Sequence, residues 1–159
     1  METTATMISA IVAAVALVLT FVQFRKRAKL EHAQQVFKMQ ESTRNNENVT
    51  SFFRMIDYGE NKGWNQSLHR DKKLEKMVDD ALLLYNYIVY LRKKHILNKK
   101  EFAYFQYEID KIVKNEEVQS YFFTLSQHCK SLGLPFKFEY LLQYGINKEY
   151  INKEMRKSE

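Results

Sequence analysis

From residue 3 to residue 24 the chain reads TTATMISAIVAAVALVLTFVQF, without a charged side chain, and its apolar positions fall on every face a helix would present. A helix over this run rises roughly 33 Å, the depth of a bilayer core. Four cations follow at once: Arg25, Lys26, Arg27 and Lys29. A cleaved leader would carry positive charge before its apolar run and a small-residue cleavage site after it, and neither is present. Residues 1–24 are therefore expected to form an uncleaved transmembrane anchor. Basic residues are retained on the cytoplasmic side of a span. The expected placement is a single-pass protein of a bacterial inner membrane, N-terminus outside and the remaining chain in the cytoplasm. Ala5, Ser9 and Ala13, and separately Ala10 and Ala14, recur at four-residue spacing, which lets two helices pack closely in lipid. They are the candidate self-association face and the basis for a homo-oligomer.

Past the basic block the pattern changes. Residues 25–45 are polar and helix-favouring, with sparse apolar positions at Leu30, Ala33, Val36 and Phe37, as in a stalk continuing the first helix. The asparagine-rich run at 44–48 weakens it. Val49, Phe52, Phe53 and Ile56 then share one face at i, i+3, i+4 and i+7. Gly59 and Gly63 frame a loop carrying Trp64. A broad stripe follows: Leu74, Met77, Val78, Ala81, Tyr85 and Ile88, widened by Leu84 and Leu91, as in the central helix of a bundle. It ends in Arg92-Lys93-Lys94-His95.

The next start signal is specific. Asn98 is a good N-cap, Glu101 stands three residues on, and Leu97 and Phe102 are placed to close a hydrophobic staple. Phe102, Phe105, Ile109 and Ile112 continue that face. Asn115 caps a further helix, whose buried side is expected to carry Val118, Tyr121, Phe122, Leu125, Cys129 and Leu132. Gly133 and Pro135 stop it. A short helix over 137–144 is expected to end at Gly145, and Asn147 to open a polar C-terminal helix. No run alternates long enough for a sheet. The fold class is all-α: an anchor (1–24), a basic stalk (25–45), a compact bundle of about five helices (46–146) and a polar tail (147–159).

Composition narrows this picture. Gly occurs four times and Pro once, too few breakers for a turn-rich β fold. Cys129 is the one cysteine, so no intramolecular disulfide can form. The net charge is +6, and residues 30–159 hold only +3 of it. A strong, sequence-independent hold on nucleic acid is not expected from so small an excess.

Catalytic signals are weak. His32, His69, His95 and His128 form no metal-ligand spacing, and no phosphate loop or nucleophile elbow occurs. His69 and Asp71 do not face each other on a helix. His128 and Cys129 would point about 100° apart. Asp79-Asp80 and Glu116-Glu117 are neighbours in sequence only. The chain reads as no enzyme, with no catalytic residue, no cofactor and no metal. Three features carry a binding expectation. Arg92, Lys93, Lys94, His95, Lys99 and Lys100 form a basic hinge that could hold a polyanion. Arg25, Lys26, Arg27 and Lys29 are placed for anionic lipid headgroups. Tyr87, Tyr104 and Tyr107 fall off the core stripes, and exposed tyrosine is a common protein-contact residue. They are the candidate interface for a protein partner.

The runs YNYIVYLRKKHILNKKEFAYFQYEIDKIVKNEEVQ (85–119) and FKFEYLLQYG (136–145) resemble a set of uncharacterised short bacterial single-pass membrane proteins with helical cytoplasmic domains. Some proteins of that type resemble components of phage-defence loci. The resemblance implies a membrane-tethered interaction or sensor module and brings no catalytic residue. The alternative reading is a membrane-tethered binder of nucleic acid or nucleotide that uses the basic hinge.

Overall fold

The computed structural model describes residues 2–59 and 63–152; the side chains of residues 2–15, 65, 66 and 69 lie outside the description. Every described element is helical: α1 (Glu2–Asn45), α2 (Glu47–Tyr58), the single turn α3 (Trp64–Ser67) with a 3-10 turn (Leu68–Arg70), α4 (Lys72–Lys93), α5 (Lys99–Lys114), α6 (Glu116–Ser131) and α7 (Glu139–Asn147). The chain forms two compact units, residues 1–39 and 40–159.

The first unit is α1 up to Met39. It runs unbroken through the basic block, and the Arg25 guanidinium lies 4.7 Å over the Phe21 ring. Here the membrane assignment is corrected. Among the described residues no helix is long and apolar enough to cross a membrane. The anchor, the bacterial inner-membrane placement and the inside edge assigned to Arg25–Lys29 go with that finding. Ala5, Ser9, Ala10, Ala13 and Ala14 lie outside the described side chains.

The second unit is the bundle. Asn46 breaks the chain from α1 into α2, its side-chain oxygen accepting from the backbone N–H groups of Asn48 (2.9 Å) and Val49 (3.3 Å). α2 buries Val49, Phe52 and Met55 and ends on Gly59 at φ 62°, where a left-handed residue closes a helix at no steric cost. Trp64 is buried rather than looped out and meets Tyr121 edge-on at 5.9 Å.

Asp71 caps α4, the central helix, which packs against α2, α5 and α7. Val78, Ala81, Tyr85, Ile88 and Leu91 are buried as the stripe requires, and Leu82 and Val89 extend it. Asn98 and Glu101 form the capping box at the start of α5: the Asn98 side chain accepts from Glu101 N–H (3.0 Å), and Asn98 N–H donates to the Glu101 carboxylate (2.8 Å). Leu97 and Phe102 are buried beside it. Asn115 caps α6 through Val118 N–H.

Two expectations fail at the C-terminal end. On α6 the buried face stops after Phe122: Leu125 and Cys129 are half-buried and Leu132 is 57% exposed. The seat left open is filled from the following loop, where Phe136 and Phe138 pack on the Phe122 ring at 5.7 and 5.6 Å. Gly145 does not end a helix; it lies inside α7, and Ile151 and Val113 come so close that any Cβ there would stand 2.5 Å from Ile151 Cδ1. After α7 the chain turns at Glu149 (φ 59°) and seats Ile151 in the core. Residues 153–159, the rest of the expected polar helix, lie outside the described residues.

Candidate functional site

Three of the polar side chains that sequence alone marks as candidates for chemistry, Asp79, Asp80 and Glu117, are engaged in holding the bundle together. Asp79 accepts the Tyr121 hydroxyl at 3.0 Å and an ion pair from Lys137. Asp80 accepts Asn48 Nδ2 at 2.6 Å and pairs with Lys76 at 3.4 Å. Glu117 accepts the N–H of Gly63. His128 is exposed at the end of α6. Among the described residues no group of histidine, cysteine and carboxylate side chains could hold a metal.

Two surfaces stand out instead. The first is an open groove of about 450 Å³ between α2 and α5, closed at one end by residues 40–44 of α1. Tyr58, Tyr104 and Tyr107 line it and are 77%, 67% and 71% exposed. The spacing of Tyr104 and Tyr107, i and i+3 on α5, puts both rings on one side of that helix. Tyr58 arrives from the last turn of α2.

The charged groups of this groove are divided. Lys111 pairs with Asp57 and lies 5.8 Å from the Phe53 ring centre and 5.3 Å from that of Tyr107. The hydrogen bond to Asp57 pushes the Lys111 ammonium above its ordinary range, against the pull of burial. Arg44 and Arg54, exposed on the same groove, make no ion pair among the described residues. Deeper in, Glu108 turns Oε2 into the protein with no hydrogen-bond partner among the described residues. Burial, and after it the Glu108 charge, pushes the Tyr85 phenol well above its ordinary range.

The second surface is the basic hinge. Arg92 is a structural group there, its guanidinium donating to the Leu97 carbonyl at 3.1 Å and bracing the turn between α4 and α5. His95 takes a left-handed conformation, φ 58°, within that turn. Lys93 lies 5.1 Å over the Tyr140 ring and Lys94 5.9 Å over that of Tyr90. Lys99 and Lys100 are exposed in the first turn of α5. Tyr87, 52% exposed, belongs to this surface, its ring stacked on Tyr90 at 6.0 Å.

The three tyrosines marked together in the sequence thus separate, Tyr104 and Tyr107 to the groove and Tyr87 to the hinge. Tyr58, Arg44, Arg54 and Lys111 escape a sequence reading because they join the groove from three helices. The one local signal is Tyr58, which ends α2 one turn beyond a stripe already complete. Compared with known proteins, the chain matches no family model, no curated protein and no solved structure.

Proposed function

We propose that the helical domain is a non-enzymatic protein-interaction module and that the groove between α2 and α5 is its contact face. The observation that carries this reading is the convergence of three highly exposed tyrosines on one groove with two arginines that make no ion pair among the described residues. Tyrosine and arginine dominate binding energy at protein interfaces, where a ring buries a large area at low entropy cost and a guanidinium makes several directed hydrogen bonds. A solvated helix face has no need of either in a cluster. Arg44 and Arg54 favour an acidic partner segment, and the tyrosine rings favour apolar side chains within it.

A photo-crosslinking side chain placed at Tyr104 in the full-length chain, in its native host, tests this. The expected result is a discrete adduct that is absent when the probe replaces exposed Lys73 and is lost on Arg54→Glu. An adduct between two copies of the chain would identify the partner as a homo-oligomer. Identical labelling from both probe positions would overturn the reading.

A further inference from the structure

The hinge surface carries a chemistry different from that of the groove. Tyr87 and Tyr90 stand i, i+3 on α4, with ring planes 25° apart, and Tyr140 of α7 continues the series 5.0 Å from Tyr90. The outermost ring has half its surface in solvent. Lysines flank the series: Lys93 lies against Tyr140 and Lys94 against Tyr90, while Lys99 and Lys100 open α5 at the same end of the bundle. In the rest of the domain Lys76, Lys111 and Lys137 are neutralised by Asp80, Asp57 and Asp79, while Lys72, Lys73, Lys114, Lys130 and Lys148 make no ion pair among the described residues. None of the four hinge lysines has a carboxylate partner among the described residues.

An exposed ring stacked on a second tyrosine, with a third tilted 58° against that one, beside cations that have no carboxylate partner among the described residues, suits a ligand with a flat apolar face and a repeating anion. We infer that this surface binds single-stranded nucleic acid, a base stacking on Tyr87 while Lys93, Lys94, Lys99 and Lys100 meet backbone phosphates. Unpaired bases are required, because a duplex hides the faces that stack. Four lysines match a short stretch of single strand. RNA and DNA share this chemistry.

The test is fluorescence anisotropy of the full-length chain with labelled oligo-U and oligo-dT. Four phosphate contacts predict a single-strand salt slope of about −2.8, so affinity should fall about fifty-fold between about 50 and 200 mM salt. Tyr87→Ala should weaken binding about tenfold, within the range for loss of one base stack, and Tyr87→Phe should restore it. Lys93→Gln with Lys94→Gln should lower the slope by about 1.4. Variants at Tyr104 and Tyr107 should bind as wild type, which separates this site from the groove. No binding at low salt would overturn the inference. So would equal affinity for a duplex of the same length, or binding indifferent to both Tyr87→Ala and the lysine pair; the last would assign it to the cations at 25–29. Binding of acidic protein segments through Tyr87 in place of oligonucleotides would overturn it equally.

Discussion

Phe122 shows how one side chain gathers distant parts of the chain. It is fully buried on α6, its ring stacked on Phe138 and meeting Phe136 edge-on. Phe122→Ala removes a fully buried ring on which Phe136 and Phe138 pack, and such truncations cost about 3–5 kcal/mol. That is a large part of the roughly 5–15 kcal/mol that holds a domain folded. Denaturant unfolding should show the midpoint falling accordingly, and a wild-type midpoint would remove Phe122 from the core. Gly145 poses the opposite problem. Alanine there would raise helix propensity by about 1 kcal/mol. It would also place a methyl 2.5 Å from Ile151 Cδ1, 2.8 Å from Ile151 Cγ1 and 3.2 Å from Val113 Cβ. The Ile151 tip can swing aside, but its Cγ1 and the Val113 Cβ have little freedom. Overpacking costs about 1–3 kcal/mol, so the net change should be destabilising. Gly145→Ala combined with Ile151→Ala should then lose less than the sum of the two single variants, and strict additivity would show that the methyl is accommodated without pressing on Ile151.

The elements that sequence made legible are those with local instructions. α5 is the clearest: Asn98, Glu101, Leu97 and Phe102 lie within six consecutive positions and specify its start without reference to the rest of the fold. Asn98→Ala should cost about 1 kcal/mol, measured by thermal or denaturant unfolding, with Asn98→Asp close to neutral. The broad apolar stripe of α4 was equally legible, since a helix in the middle of a bundle must be apolar on more than one side. α6 was legible only to Phe122. Its later apolar positions, Leu125, Cys129 and Leu132, keep the same period, but the loop residues Phe136 and Phe138 take the space on Phe122, and periodicity is blind to that competition. The glycine of α7 departs from its sequence pattern for a related reason. A glycine late in a helical pattern commonly marks its end, whereas Gly145 is there because Ile151 folds back onto it. The apolar beginning of α1 has the sequence pattern of a membrane anchor, but no described helix is long and apolar enough for that. Of the two candidate surfaces, the hinge lysines and the three tyrosines could be named from sequence. Their grouping could not, because Tyr58, Arg44 and Lys111 meet Tyr104 and Tyr107 only after α1, α2 and α5 have packed.

At the scale of the whole bundle, the buried side chains that titrate are tyrosines among the described residues, and this bears on the alkaline limit of the fold's stability. Tyr85 on α4, Tyr121 on α6 and Tyr144 on α7 all have phenols pushed well above the ordinary value, in each case first by burial. Tyr121 and Tyr144 also donate to carboxylates, Asp79 at 3.0 Å and Asp110 at 2.7 Å, so that ionisation would set two negative charges side by side. The sign follows from proton linkage. A group whose pKa is higher in the folded state holds its proton more tightly there, so its contribution is complete below the unfolded value, about 10 for tyrosine, and is lost as pH rises above it. Lys111, held protonated by Asp57, acts in the same direction. Stability should therefore be nearly flat with respect to these groups up to about pH 9 and fall above pH 10. Tyr85 and Tyr121, both almost inaccessible to solvent, should each add about 1.4 kcal/mol per pH unit to that slope. Denaturant unfolding between about pH 8 and 11 measures it directly. Tyr121→Phe should lower stability at neutral pH through loss of the Asp79 hydrogen bond, by about 1 kcal/mol, yet make the alkaline decline shallower, because one linked proton is gone. A variant that is less stable at neutral pH but declines as steeply as wild type would show that Tyr121 ionises as readily in the folded bundle as in the unfolded chain, and that its alkaline lability arises elsewhere.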